Sequence, residues 1–203
     1  MDKYVTYFFK NLNRGVPINE ALQLSLKALP EHSDSHDLIY RIARSRKWEG
    51  WTLRILDAAV EVEPDNWEIY STKAYELHKT DPAGALDALS QGTALLYEQD
   101  PQGDELGWCY QRMAEYLARL GRYRNSIAAC TLSMDYLPSE IENFFCHKAL
   151  ILRADQYLKL GLEYLARKDL LRALKHNPED KESQEKLREL SGYDQQIHEK
   201  GNY

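Results

Sequence analysis

The chain has 203 residues, of which 43% are hydrophobic and 29% are charged. This composition is typical of a folded, water-soluble protein and excludes a disordered or membrane-embedded chain. The formal net charge of −6 argues against a general nucleic-acid-binding protein, which needs a basic surface to displace counterions. The length fits one ordinary domain or a short array of repeats.

The N-terminal stretch and the cysteines predict a cytoplasmic protein without membrane insertion. The apolar run in MDKYVTYFFKNLNRG is short and is broken by Lys10 and Asn11, so it lacks the hydrophobic region of a signal peptide. No window holds the roughly 18 apolar residues that a membrane-spanning helix needs. Cys109, Cys130 and Cys146 show no CxxC spacing and fall within helical patterns, which predicts reduced thiols in the core.

Five prolines divide the sequence at nearly even intervals. Pro30, Pro64, Pro101, Pro138 and Pro178 are 34, 37, 37 and 40 residues apart, and each follows an amphipathic stretch. Proline cannot continue a helix and disfavours helical geometry in the residue before it, so each of these prolines marks a helix end. A period of this length is typical of stacked helical repeats.

The first predicted element is a helix pair within residues 1–34, with the helices YVTYFFKNL and INEALQLSLKAL on either side of Gly15. Residues 35–64 are predicted to form a degenerate repeat. Lys47 stands where a turn glycine is expected, and Tyr40 stands where a small residue is expected.

Residues 65–101 are predicted to form the next hairpin, with extra residues in its second helix. Asp81 before Pro82 is typical of an N-cap followed by proline in the first helical turn. Proline is tolerated there because its missing N–H would have no partner within the helix.

The clearest hairpin is predicted over residues 102–138. Apolar residues recur at steps of three and four both before and after Gly121, which predicts two helices with one apolar face each. Glycine can take a positive φ at a helix end, and so short a connection makes the helices antiparallel. Residues 139–178 repeat the pattern, with Gly161 standing 40 residues after Gly121.

Beyond the last of these prolines the sequence becomes highly polar. Residues 179–192 carry only a thin apolar stripe, which predicts a capping helix that ends at Gly192. Residues 193–203 are predicted to be a frayed tail.

The segment WCYQRMAEYLARLGRYRNSIAACTLSMDYLP resembles a tetratricopeptide repeat. That family places an aromatic residue, Leu-Gly, Tyr, Ala, a second aromatic residue, Ala and Pro at fixed intervals. Where this segment departs from the pattern, it has small residues in place of small ones and apolar residues in place of apolar ones. The matching positions are Tyr110, Met113, Ala114, Leu117, Ser126, Cys130, Ser133 and Pro138. The resemblance covers about residues 35–178 and is strongest over the last half. It implies an all-α, right-handed solenoid of antiparallel helix hairpins, with four repeats between the N-terminal helix pair and the cap.

The resemblance also implies a binding surface. In this family the first helix of each hairpin lines the inner, concave face, where extended peptides or partner helices bind. Trp108 beside Gln111 and Arg112 has the composition of an interface hot spot, with packing between repeats as the alternative role for Trp108. The residues predicted at the partner-binding surface are Arg41, Ile69, Lys73, Trp108, Gln111, Arg112, Glu115, Lys148 and Asp155.

One well-known ligand of this family, the C-terminal carboxylate of cytosolic heat-shock chaperones, is not predicted for this chain. The clamp that binds it needs Lys and Asn in one first helix, Asn in the next, and then Lys and Arg. The matching places hold Asp37, Arg41, Tyr70, Trp108 and Arg112, of which only Arg112 fits.

Two polar clusters have alternative interpretations. His32 and His36 are four residues apart, with Asp34 and Asp37 nearby, and this spacing can hold a metal ion on one helix face. The serines around them favour a loop. No metal site is therefore predicted. Arg41, Arg44, Arg46 and Lys47 are predicted to complement the dipole at a helix end, with contact to an acidic partner or to nucleic acid as the alternatives.

The predicted function is that of a non-catalytic scaffold or adaptor, which binds another protein or a peptide and no nucleic acid. No GxSxG, P-loop, GxGxxG or HExxH motif occurs, so we predict neither an enzyme nor a cofactor. Two alternatives stay open at this point: a dedicated chaperone for one secreted or membrane-associated client, and an enzyme built on a repeat scaffold. The sequence carries no signal for an oligomeric state.

Overall fold

The computed structural model describes residues 2–30, 33–45, 50–137 and 142–200. These residues form eleven helices and no strand, as an all-α repeat fold requires. None of the described helices is both long and apolar enough to cross a membrane. The chain divides into two compact units, Met1–Gln99 and Asp100–Tyr203.

The first unit consists of three helix hairpins. Within each hairpin the two helices pack against each other, and the first helices also contact one another, α1 on α3 and α3 on α5. The core between them contains fully buried side chains such as Phe8, Leu22 and Ile55. The helices are α1 (Lys3–Leu12), α2 (Ile18–Lys27), α3 (Ser35–Ala43), α4 (Thr52–Val62), α5 (Trp67–Leu77) and α6 (Pro82–Gln99).

Local sequence signals fix the helix ends of this unit. Asp81 Oδ1 accepts a hydrogen bond from the Gly84 N–H at 2.9 Å, which confirms the predicted N-cap of α6. Gly15 turns between α1 and α2 with a φ of 85°. In the next hairpin Lys47 lies outside the described residues, and Gly50 supplies the positive φ, 88°, that the sequence analysis expected at the position of Lys47.

The second unit consists of two hairpins and a final helix. Gly121 and Gly161 have φ values of 69° and 70°, which confirms both predicted hairpin turns. Ser126 is fully buried and donates its hydroxyl hydrogen to the carbonyl of Ala114 at 2.8 Å, so a small residue lets the two helices of this hairpin approach closely. The helices are α7 (Asp104–Arg119), α8 (Tyr123–Tyr136), α9 (Glu142–Lys159), α10 (Glu163–His176) and α11 (Lys181–Lys200).

The predicted end of the capping helix is wrong. Helix α11 continues through Gly192 to Lys200, so Gly192 does not end it and the expected frayed tail is helical over residues 193–200. A glycine costs a helix interior only about 1 kcal/mol relative to alanine. The polar, helix-favouring residues on either side of Gly192 are sufficient to continue the helix.

Three cysteines lie in the second unit. Cys109, Cys130 and Cys146 are free and buried, which confirms their predicted place in the core. Burial raises the pKa of the Cys130 thiol to about 12, so this side chain stays neutral and behaves as a small apolar residue.

Replacing Gly121 by alanine is expected to lower the free energy of unfolding by about 1–2 kcal/mol, because a Cβ atom disfavours a positive φ. The added Cβ would meet only the Tyr123 hydroxyl, at 4.0 Å, so the cost is conformational and not steric. Urea unfolding measures it. Gly121→Asn should cost less, since asparagine tolerates this region, and equal losses for the two variants would contradict the explanation.

Candidate partner-binding surface

The predicted site residues of the first unit do not share one face. Ile69 is 0% exposed and packs in the core with Ile42 and Ile55, so its predicted place on a binding surface is wrong. Lys73 pairs with Asp57 on α4, with 2.7 Å between Nζ and Oδ1, so its ammonium group contacts a second helix. Consecutive residues on a helix are turned by about 100°, and the assumed register of α5 is off by one residue.

The face of α5 that meets α3 carries a different row of side chains. His36 Nε2 lies 3.0 Å from the Thr72 hydroxyl, and Arg44 Nη1 lies 3.7 Å from Glu76 Oε1. His36 and Arg44 are eight residues apart along α3, and Thr72 and Glu76 are four residues apart along α5, so each pair lies on one face of its helix. We name this surface the α3–α5 row, and its members are His36, Tyr40, Arg44, Glu68, Thr72 and Glu76.

Polar and aromatic contacts hold the α3–α5 row in place. Arg44 donates to the Tyr40 hydroxyl at 3.1 Å, and its guanidinium also lies over the Tyr40 ring, 5.4 Å from the centroid. Tyr40 stands where the repeat pattern expects a small residue. Its exposed aromatic ring forms part of this surface. Arg44 contacts its neighbours through hydrogen bonding and cation–π attraction in addition to any effect on the helix dipole.

Arg41 lies on a neighbouring face of α3. Its guanidinium pairs with Asp37 Oδ2 at 2.8 Å and with Asp2, the N-cap residue of α1. The Tyr4 N–H and the Arg41 charge together hold the pKa of Asp2 below its usual value. Arg41 is thus exposed but joins the first two hairpins of the unit.

Predicted site residues on α7 of the second unit lie close together in sequence and differ in burial. Arg112 and Glu115 are exposed, Trp108 is half-buried, and Gln111 is only 8% exposed. The Gln111 Oε1 atom is enclosed, and no donor within the described part of the chain reaches it. A buried oxygen without a donor is rare in folded proteins, and it identifies Gln111 as a position that an additional donor would stabilise.

Helix α9 supplies the two remaining predicted residues. Lys148 is exposed, whereas Asp155 pairs with Lys186 of α11. Burial alone would lower the pKa of Lys186, but its hydrogen bonds to Asp155 and Glu182 outweigh this effect and raise it. The capping helix therefore occupies the carboxylate of Asp155 that the sequence analysis assigned to a partner.

Sequence analysis missed a buried ion pair in the second unit. Arg153 on α9 donates through Nε and Nη2 to the two carboxylate oxygens of Asp169 on α10, at 2.7 and 2.9 Å. Its Nη1 donates to the Thr131 hydroxyl of α8 at 2.8 Å. Burial lowers and the Asp169 carboxylate raises the pKa of Arg153, with a net increase, so the guanidinium stays charged. The Arg153–Asp169 pair links α9 to α10, and the contact with Thr131 adds α8. The role of this pair is therefore to hold these helices together.

A signal for this pair is present in the sequence. Arg153 comes three residues after the buried Leu150, and Asp169 comes three residues after the buried Ala166. Both charged residues therefore fall in rows of helix positions that face the core. A basic and an acidic residue in facing apolar rows predict a pair.

Comparison with known proteins gives similar structures but no similar sequence family. No protein-family model matches the sequence, and no curated protein matches it significantly. A crystal structure of the MamA protein has a TM-score of 0.59 at 18% identity and covers 86% of this chain and 90% of MamA. A second MamA structure also has a TM-score of 0.59, at 19% identity, over 88% of this chain and 96% of MamA.

A third similar structure is that of a tetratricopeptide repeat (TPR) domain. The first TPR of Spaghetti (RPAP3), solved with the HSP90 peptide SRMEEVD bound, has a TM-score of 0.51 at 21% identity. It covers 63% of this chain and 92% of the RPAP3 chain. The chain has a tetratricopeptide repeat fold. At these sequence identities the similarity concerns the fold and does not extend to the residues of a binding surface.

The resemblance to tetratricopeptide repeats predicts a binding surface made of first-helix positions. In the first unit these positions form the α3–α5 row, which replaces the predicted pair Ile69 and Lys73. In the second unit they are Trp108, Gln111, Arg112 and Glu115 on α7 and Lys148 on α9.

Proposed function

We propose that the protein is a non-catalytic scaffold that binds a peptide or a partner protein along first-helix positions of its tetratricopeptide hairpins. The observation that carries this proposal is the arrangement on α7, where a half-buried Trp108 and an exposed Arg112 flank Gln111. Tryptophan and arginine are the residue types most enriched among interface hot spots.

The similar RPAP3 domain binds an HSP90 peptide, which supports peptide binding as a use of this fold. We do not extend that ligand to this chain. Arg41 is engaged by Asp37 and Asp2, and Tyr70 is buried with its hydroxyl donating to the Pro64 carbonyl at 3.0 Å. Neither side chain is arranged to hold a peptide carboxylate in the way that the Lys and Asn residues of the clamp do.

The three buried free cysteines support a cytoplasmic location as part of this proposal. Free thiols persist in a reducing compartment, and in an oxidising one they form disulfides or become modified. The net charge of −6 favours a partner with a basic or mixed-charge surface.

Affinity capture with the wild type and the double variant Trp108→Ala/Arg112→Ala tests the proposal. We expect the double variant to lose its partners, since truncating one hot-spot residue typically costs about 2 kcal/mol or more. The matched control is Tyr164→Ala/Arg172→Ala, which removes an exposed aromatic residue and an exposed arginine from α10, a second helix. This control should capture the same partners as the wild type.

Two results would change the proposal. If every captured partner survives the Trp108→Ala/Arg112→Ala change while the control behaves like the wild type, the surface on α7 is not the binding site. If a single stoichiometric client is captured, the protein is a dedicated chaperone for that client instead of a scaffold for several partners.

A further inference from the structure

We propose that Asp34, His36 and Glu68 form a binding site for a divalent transition-metal ion, with zinc as the best match. The site would join the first helices of two successive hairpins, because Asp34 and His36 lie at the start of α3 and Glu68 lies in the first turn of α5. The three residues belong to the first unit, whereas the partner-binding residues proposed on α7 belong to the second. His36 and Glu68 are also members of the α3–α5 row.

The three side chains are close enough to share one ion. One ligand atom from each residue, a histidine nitrogen and two carboxylate oxygens, lies within 4.8 Å of the other two. His36 Nδ1 and Glu68 Oε2 lie 3.6 Å apart. Two ligands of a tetrahedral zinc ion with bonds of about 2.0 Å are about 3.3 Å apart. Small side-chain adjustments therefore complete the geometry.

Thr72 orients the imidazole ring so that Nδ1 faces the carboxylate. The Thr72 hydroxyl oxygen lies 3.0 Å from His36 Nε2, which is hydrogen-bonding distance. Histidines that bind metals commonly hold their second nitrogen in this way, through a hydrogen bond to a neighbouring group. With the hydrogen on Nε2, the lone pair of Nδ1 points toward the acidic side.

The distance between His36 and Glu68 is compatible with an ion bound between them. At 3.6 Å the two groups are too far apart for a good hydrogen bond. When the hydrogen is on Nε2, His36 Nδ1 and the Glu68 carboxylate are both hydrogen-bond acceptors. Two acceptors that face each other are unfavourable unless a cation lies between them. A metal ion satisfies both lone pairs at once.

The surrounding charges attract a cation. Glu63 lies beside the cluster, and its Oε2 accepts from Ser35 Oγ at 2.8 Å. The Asp37 carboxylate is already paired with Arg41, while its N–H donates to Asp34 Oδ1 at 3.2 Å. The N-terminus of α3 opposes a cation, but the Asp34 carboxylate at the N-cap offsets this helix dipole.

The donor set selects the class of metal. One imidazole nitrogen and two carboxylate oxygens suit zinc and its neighbours in the first transition row, whereas calcium and magnesium prefer oxygen ligands only. Three protein ligands leave a fourth position for water or for a group from a partner.

No metal site was predicted from the sequence around His32 and His36, although Asp34 and Asp37 lie nearby. His32 lies outside the described residues. The loop expected around these histidines is wrong from Ser35 onward, because α3 begins there with Asp34 as its N-cap. The decisive ligand, Glu68, is 32 residues from His36 in sequence and comes close only through the stacking of hairpins.

Titration of the full chain with zinc chloride, followed by calorimetry, tests the site, and cobalt chloride supplies a spectroscopic readout. We expect one saturable equivalent in the wild type and visible cobalt absorption typical of a nitrogen and oxygen ligand set. His36→Ala and Glu68→Gln should each weaken binding roughly tenfold or more. Thr72→Val, which removes no ligand, should weaken it by about tenfold through loss of the orienting hydrogen bond.

His78→Ala is the matched control, because it removes a histidine at the end of the same helix α5 outside the cluster. It should bind zinc like the wild type. Circular dichroism of each variant shows whether it is folded. Absence of saturable zinc binding in the wild type, or wild-type affinity in both folded His36→Ala and Glu68→Gln, would overturn the proposal.

Discussion

Replacing Asp169 by asparagine, or Arg153 by methionine, is expected to lower the free energy of unfolding of the second unit by about 3–5 kcal/mol. The side chains of Arg153 and Asp169 are 11% and 5% exposed, so either change leaves a buried group without its partner. Hydrogen-exchange mass spectrometry is the suitable measurement, because peptides from α9 and α10 report on this unit separately from the first one.

The surface pair on the same helix provides the control. Asp155 pairs with Lys186, but these side chains are 34% and 21% exposed. Asp155→Asn should therefore cost less than about 1 kcal/mol. The double variant Arg153→Met/Asp169→Leu should recover most of the lost stability, since a well-packed apolar pair often replaces a buried ion pair at little cost. If each single variant lowered the free energy of unfolding by less than about 1 kcal/mol, the Arg153–Asp169 pair would not be an important link between α9 and α10.

The hairpins were predictable from the sequence because their signals are local. A glycine between two stretches with three- and four-residue apolar spacing determines the turn at Gly121 without reference to the rest of the chain. The same is true of Asp81, whose side chain caps α6 by accepting a hydrogen bond from the N–H three residues further along the chain. Such features involve neighbours within one turn of a helix.

The contacts between hairpins were harder to predict because they depend on which face of each helix is buried. His36 and Thr72 are 36 residues apart, which is one repeat period, so contacts of this kind join similar positions in successive hairpins. An error of one residue in the register of α5 was enough to replace Glu68 and Thr72 by Ile69 and Lys73. The α3–α5 row and the proposed metal site both depend on that register.

The length of the capping helix shows a different limit. Gly192 was expected to end it, as glycine often does. Glycine ends a helix only where the chain takes a positive φ, and the sequence around Gly192 does not specify whether it does so. The residues after Gly192 continue the helix instead.

The buried position of Ile69 leads to the second large expected effect. Ile69→Ala should lower the stability of the first unit by about 2–5 kcal/mol, because it removes apolar contacts and leaves a cavity in the core around α3, α4 and α5. Glu68→Ala, one residue away, should change stability by no more than about 0.5 kcal/mol. Thermal unfolding with a chelator present compares the two variants without any contribution from a bound metal.

This pair of variants decides the register of α5. If Ile69 faced a binding groove, Ile69→Ala would keep the stability of the wild type and weaken partner capture, and Glu68→Ala would be the more destabilising change. The structure predicts the opposite order, since Ile69 has no exposed surface whereas Glu68 faces His36 across the first turns of α3 and α5. The same experiment therefore tests which side chains of α5 are available to a partner or to a metal ion.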